Sequence, residues 1–250
     1  MAKTKSFYTT VFFSLFLLFS ITGCGEDKHR ETAIATESGA DSQINFTALK
    51  EENPDIFAWL YIPDTQIDCP VLQDHQSDDF YSSHNAFREE DSQGAVYIEL
   101  ANVSDMCDFN TVLHGNAPEK SDSRSAEAYP LADLYNFADP TFFDGHEKLY
   151  LYLDGNTLTY EIFAAYERDN TSLIRDYGFT DTIGFLMFLN DLYGNRDLST
   201  NLREGWSFIT PYHFLVTLTA HKENDPDRQF VVVAVLIQDN AGTITRIMEE

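Results

Sequence analysis

The residues of this chain best suited to move protons or bind a metal near neutral pH are three of its histidines. His114, His213 and His221 each lie within a segment predicted to form a β-strand or directly beside one, so a folded sheet can bring them together. A cluster of imidazoles can bind zinc. No acidic or cysteine partner stands at a ligand spacing from them, so we expect scaffold histidines and predict no metal and no cofactor. A histidine-bound metal is kept as an alternative.

Cys24 stands where a processed N-terminus is expected. Residues 7–21 form an uncharged, mostly apolar run behind Lys3 and Lys5, and this run is too short for a permanent membrane span. The pattern predicts a signal peptide over residues 1–23. Small residues directly before Cys24 resemble the lipobox of bacterial lipoproteins, in which the cysteine is acylated. We therefore predict lipid attachment at Cys24, on the extracellular face of the cytoplasmic membrane; an ordinary signal peptide is the alternative.

Cys69 and Cys107 are the remaining cysteines. One disulfide between them is compatible with export, but sequence alone does not establish that the two thiols meet. Cys69 lies in an apolar run, residues 67–72, where a buried small side chain is the usual role. We interpret both cysteines as structural.

The rest of the chain divides into a tether and one domain. Residues 24–45 comprise the cysteine and a polar stretch that is too poor in apolar residues to fold, so they are predicted to be flexible. Residues 46–250 are long enough for one domain with a full core. The net charge is −25, and loss of Lys3 and Lys5 makes it two units more negative. This charge argues against binding nucleic acid, and it leaves the lipid as the only predicted membrane contact.

The domain is predicted to be mostly β-structure. The strand candidates share alternating or continuous apolar and β-branched residues. They are residues 58–62, 67–72, 94–99, 110–113, 148–153, 157–166, 206–210, 213–219 and 229–237. Helices are predicted at 46–52, 130–137 and 139–143, with the longest at 181–193. Short, regularly spaced strands favour a closed barrel, here of about eight strands with a few flanking helices.

Four stretches in this order resemble the class B sortases, the cysteine transpeptidases of Gram-positive bacteria. The first runs from Asn53-Pro54-Asp55-Ile56-Phe57 through Pro70-Val71-Leu72-Gln73. The second is Gly94-Ala95-Val96-Tyr97-Ile98 followed by Asn110-Thr111-Val112-Leu113. The third is Leu131-Ala132-Asp133-Leu134 through His146. The fourth is Val216-Thr217-Leu218-Thr219-Ala220 followed by Arg228-Gln229-Phe230-Val231-Val232-Val233. The resemblance covers nearly all of residues 46–237 and implies a sortase-like barrel.

The resemblance also implies a three-residue site. In the family a cysteine forms a thioester with a sorting peptide, a histidine transfers protons, and an arginine stabilises the oxyanion or fixes the peptide. Here the cysteine place holds His221, and the arginine place is assigned to Arg228. The family's Tyr-Gly-His-Asn pattern is matched to Leu113-His114-Gly115-Asn116, which assigns the histidine place to Gly115. Because neighbouring residues of a strand face opposite sides, His114 is then predicted to point away from the groove.

The predicted function is a class B sortase-like surface lipoprotein that is catalytically inactive. Its catalytic residues are degenerate, and its predicted partner is an extended peptide resembling a sorting signal or another cell-surface protein. Two alternatives stay open: an active transpeptidase or hydrolase with non-standard catalytic residues, and an interaction lipoprotein that uses the barrel only as a scaffold. These alternatives differ in whether the chain is an enzyme.

Overall fold

The computed structural model describes residues 44–117, 129–194, 200–222 and 225–246. The predicted signal peptide, Cys24 and nearly all of the predicted tether lie outside these residues. Within this part of the chain, no helix has the length and apolar composition needed to cross a lipid bilayer.

The domain is built from nine strands and a few short helices. The strands are β1 (Ile56–Tyr61), β2 (Asp68–Leu72), β3 (Val96–Tyr97), β4 (Asn110–Ala117), β5 (Lys148–Leu153), β6 (Asn156–Asp169), β7 (Asn201–Leu202), β8 (Leu215–Lys222) and β9 (Asp225–Asp239). The α-helices are α1 (Phe46–Glu52), α2 (Pro140–Gly145), α3 (Leu173–Tyr177) and α4 (Thr182–Gly194). In the described part of the chain, 3₁₀ helices cover Phe80–Ser82 and Ala132–Ala138.

Eight of the strands close into a barrel. Their order is β5-β1-β2-β3-β4-β8-β9-β6, and β5 pairs with β6 to complete the ring, while β7 pairs with Ala164 and Ala165 further along the same edge of β6. Most neighbours are antiparallel, but β2 runs parallel to β3 and β4 runs parallel to β8. The predicted mostly-β, closed eight-stranded barrel with few helices is confirmed.

The strands around β4 are buried on both faces. One face points into the barrel, where an apolar core includes Leu113 of β4, Leu218 of β8 and Val232 of β9. The opposite face carries a second apolar cluster, in which Val112, Leu215 and Val233 pack with residues of α3 and α4. Alternation therefore assigns even-numbered residues of β4 and odd-numbered residues of β8 and β9 to the outer face.

Helices α3 and α4 are held close together over this outer face. Asp181 accepts hydrogen bonds from the backbone amides of Ile183 and Gly184 and so caps α4. A Cβ atom at Gly184 would lie 1.8 Å from the carbonyl oxygen of Tyr177, so only glycine permits this approach. The close packing fixes α3, and with it Arg175, beside the site described below.

Several predicted elements differ in extent. The segment predicted as a strand at 206–210 forms turns, and only Val96–Tyr97 of the predicted 94–99 strand pairs in the sheet. The 130–137 helix is a 3₁₀ helix at Ala132–Ala138. Strands β6 and β9 extend beyond their predicted ends, because their outer segments pair with each other from Leu158 to Asp169.

Candidate functional site

The ends of β4, β8 and β9 bring three polar residues into one row. Asn116 pairs with His221 across the parallel β4–β8 ladder, and His221 pairs with Gln229 across the antiparallel β8–β9 ladder. Directly opposed residues share a face of a sheet, so all three side chains project from the outer face. We call the outer surface that carries Tyr97, Glu99, His114, Asn116 and His221 the histidine face.

His114 belongs to the histidine face. Its ring lies 6.4 Å from the ring of His221, with 5° between the two planes, and it also stacks on Tyr97 at 5.4 Å. His114 and His221 thus lie on the same face, which conflicts with the prediction that His114 points away from the groove. Gly115 is the residue that faces the barrel interior, because residues 112 and 114 belong to the outer face and 113 and 115 to the inner one.

Gly115 leaves no room for a side chain. A Cβ atom at this position would lie 2.7 Å from Cδ1 and 2.8 Å from Cγ of Leu131, a fully buried core residue. A histidine at position 115 would therefore enter the packed barrel core and not reach His221. The assignment of the proton-transfer place to Gly115 conflicts with this geometry.

Asn116 serves the neighbouring loop. Its Nδ2 donates to the carbonyl oxygen of Ser82 at 2.9 Å, with longer contacts to the carbonyl oxygens of Ser92 and Gln93 at 3.4 and 3.3 Å. The side chain thus ties the segment between β2 and β3 to the end of β4. The sequence held one signal for this residue, because matching the glycine of the Tyr-Gly-His-Asn pattern to Gly115 puts Asn116 at the histidine place.

Arg228 does not approach His221 from the expected side. Its Nη1 donates to Oδ1 of Asp169 at 2.7 Å, and its place on β9 alternates with that of Gln229, the residue that pairs with His221. Gln229 is buried, and its Nε2 donates to the carbonyl oxygens of Asp169 and Thr171. The assignment of Arg228 to the arginine place therefore conflicts with the register, which puts Gln229 there.

His114 lies between a hydroxyl and a carboxylate. Its Nδ1 is 3.1 Å from Oγ1 of Thr219, and its Nε2 is 3.3 Å from Oε1 of Glu99 without forming a hydrogen bond. Burial, assisted by the nearby His221, lowers the pKa of His114 to about 3, so the ring is neutral at physiological pH. The order of carboxylate, imidazole and hydroxyl is that of a hydrolase triad. Thr219 is completely buried, however, so its hydroxyl cannot meet a substrate.

His221 is the more accessible of the two imidazoles. Burial lowers its pKa, which favours the neutral ring. A neutral imidazole can accept a proton or a hydrogen bond, but it lacks the polarisable thiolate that forms a stable thioester.

The cysteines lie elsewhere in the barrel. Both Cys69 on β2 and Cys107 pack against the barrel core, and no disulfide joins them. Cys107 precedes β4, so the whole length of that strand separates it from Asn116. Burial raises the pKa of the Cys107 thiol, which disfavours the reactive thiolate.

The third histidine stays apart from the other two. His213 Nδ1 accepts a hydrogen bond from the backbone amide of Thr210, and its ring contacts Trp206 edge to face. In the part of the chain that the structure describes, no three His, Cys, Asp or Glu side chains are arranged to hold a metal ion. His114, His213 and His221 thus do not converge as a zinc site requires.

Comparisons with known proteins agree on one family. No family model matches the chain. It is 28% identical over 222 residues to sortase B of Listeria monocytogenes, which covers 83% of this chain and 85% of that protein. The X-ray structure of Clostridium perfringens sortase B superposes with a TM-score of 0.64 and 25% identity, over 78% of this chain and 100% of that one. The Staphylococcus aureus sortase B–substrate complex shares the fold, with a TM-score of 0.64 and 20% identity over 77% and 84% of the two chains.

The closed eight-stranded barrel, with polar side chains at the ends of β4, β8 and β9, is a sortase-type domain. Within that fold, its sequence and structure are similar to those of class B sortases, which supports assignment to that family.

Proposed function

We propose that this chain is a class B sortase homologue that binds an extended peptide at the cell surface without transferring it. The observation that carries this proposal is His221. An imidazole occupies the position at which class B sortases carry the cysteine thiol that accepts the acyl group. An imidazole can accept an acyl group, but the product hydrolyses readily and cannot hold the peptide for transfer.

The residues that pair with His221 on the two neighbouring strands also support the proposed loss of transpeptidase activity. If the glycine of the Tyr-Gly-His-Asn pattern is placed on Gly115, which admits no side chain, the histidine place falls on Asn116. The arginine place falls on Gln229 by the same register. Asparagine cannot shuttle a proton at neutral pH, and a neutral amide stabilises an oxyanion less than a guanidinium does.

A peptide partner is supported by the relatives and by the shape of the sheet. The Staphylococcus aureus sortase B was solved as a complex with substrate, and this chain shares its fold. The histidine face retains aromatic and hydrogen-bonding groups, among them Tyr97, Glu99 and His221, that suit a peptide backbone and its side chains. Binding without turnover would make the domain a receptor or a competitor for such peptides.

Anchoring through Cys24 is part of the same proposal. A lipid on Cys24 would hold the domain at the extracellular face of the membrane through the polar tether. Replacement of Cys24 by Ala is expected to abolish incorporation of labelled fatty acid and to release the protein into the culture medium. Unchanged membrane retention of Cys24→Ala would contradict the lipid anchor while leaving the binding proposal intact.

The central experiment separates binding from acyl transfer. The purified protein is mixed with a positional-scanning library of acetylated hexapeptide amides, and binding is followed by calorimetry and intact mass by mass spectrometry. We expect saturable binding with no mass shift and no peptide cleavage. A covalent peptide adduct or a cleaved product would overturn the claim of inactivity, and absence of binding to any peptide would overturn the claim of a receptor.

A restored site provides the second test. The triple variant Asn116→His, His221→Cys, Gln229→Arg puts the three family residue types into one row of the outer face. We expect it to form a detectable thioester adduct with peptides that the wild type only binds. The matched control is Gly115→His with His221→Cys, which places the histidine against Leu131 and should form no such adduct. Equal reactivity of the two variants would contradict the assignment of Asn116.

A further inference from the structure

Glu99 is a half-buried carboxylate to which no side chain or amide of the described residues donates a hydrogen bond. Its side chain is 19% exposed, and Nε2 of His114 lies 3.3 Å from its Oε1, in a geometry that forms no hydrogen bond. A carboxylate in this position is expected to accept several hydrogen bonds or to pair with a cation.

The charges around Glu99 are mostly negative. Burial raises the pKa of Glu99, the neighbouring Asp78 and Asp79 raise it further, and Arg175 of α3 opposes them. Arg175 acts at a distance, because it makes no ion-pair contact with Glu99. Glu99 thus feels the charge of two further carboxylates and one guanidinium, and a second cation close to it would reduce the repulsion.

The second observation at this place is the ring of His114. Its side chain is only 8% exposed, and Nε2 points toward Glu99 but has no hydrogen-bond partner. A buried polar atom without a partner is costly, and such atoms in folded proteins commonly mark the place of a ligand or water. His114 and Glu99 therefore line one unsatisfied polar position on the histidine face.

We propose that Glu99, backed by His114, Asp78 and Asp79, receives a cationic side chain, lysine or arginine, of the bound peptide. This inference rests on the proposed function and adds the class of peptide to it. The ammonium or guanidinium group would donate to the Glu99 carboxylate and, as a buried charge-assisted contact, would fix the register of the peptide beside His221.

An organic cation fits this position better than a metal ion. Metal binding needs three or more convergent ligands, and the described residues contain no such group at Glu99 or elsewhere. A lysine or arginine needs only one carboxylate at contact distance, with further negative charge nearby.

The test compares matched peptides on matched variants. From the best library binder, versions with lysine, arginine or norleucine at each position are titrated into the wild type, Glu99→Gln and Asp154→Asn. Asp154 lies between β5 and β6 and is 67% exposed, so its variant controls for the loss of one negative charge. We expect about a tenfold preference for lysine or arginine over norleucine at one position, kept in Asp154→Asn and lost in Glu99→Gln.

Each other outcome is decisive. A cation preference that Glu99→Gln retains, or that Asp154→Asn loses equally, overturns the assignment and indicates general attraction to an acidic protein. Competition by millimolar calcium in place of lysine would make the position a metal site. If no peptide binds at all, the proposed function fails, and the inference is decided separately by titrating N-acetyl-lysine amide against N-acetyl-norleucine amide. A His114 ring shift by the lysine compound alone supports it, and equal or absent shifts overturn it.

Discussion

The rings of His114 and His221 lie nearly parallel on adjacent strands, with 5° between their planes and 6.4 Å between their centroids. Two protonated imidazoles at this separation would repel each other in a largely desolvated setting. The pair is consequently held neutral, and protonation of either ring opposes the folded state.

The first prediction concerns the pH dependence of stability. The pKa of His114 is lowered from 6.5 to about 3, so between these values the unfolded chain binds a proton that the folded chain does not. Stability contributed by neutral His114 is complete above pH 6.5 and falls as the pH drops below it. Between pH 6 and 4 the wild type should lose about 1.4 kcal/mol per pH unit more than His114→Gln. Urea unfolding across this range measures the difference, and equal slopes for the two proteins would refute it.

The second prediction concerns Gly115. An added methyl group would lie 2.7 Å from Cδ1 of Leu131 in the packed barrel, so Gly115→Ala should destabilise the domain by about 1–3 kcal/mol. Gly145→Ala is the control, because a Cβ there meets nothing within 4 Å. Denaturant unfolding should leave the control within about 0.5 kcal/mol of the wild type. If Gly115→Ala leaves the stability unchanged, the barrel at β4 can accommodate a side chain, and a histidine at position 115 would then be feasible.

The third prediction concerns Asn116. Asn116→Asp keeps the shape of the side chain but replaces the donor that faces the carbonyl oxygens of Ser82, Ser92 and Gln93. We expect a loss of about 1–3 kcal/mol and faster amide exchange in the loop between β2 and β3. Asn240→Asp is the control, since the side chain of Asn240 acts as an acceptor, from Gln238. Unchanged exchange in the Asn116 variant would speak against its structural role.

The fourth prediction concerns the ion pairs that hold the same loop. Arg88 bridges Asp55 and Asp74, whose side chains are each only 7% exposed, while Arg88 itself is 43% exposed. Arg88→Ala leaves two buried carboxylates without their cation and should lower the stability by about 2–3 kcal/mol. This loss is smaller than for a fully buried ion pair, because solvent screens the arginine. Lys50→Ala breaks an exposed pair with Asp154 and should cost under about 1 kcal/mol.

The Arg88 pairs also carry a pH signature. Burial alone would raise the pKa of Asp74, but the backbone amides of Gln76 and Ser77, together with Arg88, lower it below 3.8. This stabilisation is complete above the unfolded pKa of 3.8 and is lost as the pH falls through the folded value. The stability gap between wild type and Arg88→Ala should therefore shrink below pH 4. A gap that is constant down to pH 2.5 would contradict the pairing.

The sequence predicted most of the barrel because its signals are local. The α1 and β5 bounds agree with the alternation and helix periodicity of their own residues, and Asp181 caps α4 as its position indicates. The segment at 206–210 was predicted wrongly because aromatic and β-branched residues also serve as packing groups in turns. Trp206 illustrates this, since it packs on the outer apolar cluster without joining the sheet.

The direction of His114 could not be obtained from the sequence alone. Residues 110–115 of β4 are all buried, because the barrel core covers one face and the helices cover the other. A strand buried on both faces has no polar alternation to reveal which side is interior. Only the ladder partners, Asn116 with His221 and His221 with Gln229, determine which residues share a face.

The placement of both Cys69 and Cys107 away from the histidine face has a pharmacological consequence. Inhibitors that carry an electrophile for an active-site thiol find no thiol at the His221 position, so activity-based probes for that thiol should not label this protein there. Under the proposed function, reversible peptide mimics should bind this chain as well as a thiol-bearing relative. The warhead, and not the peptide portion, would then supply the selectivity of such a drug.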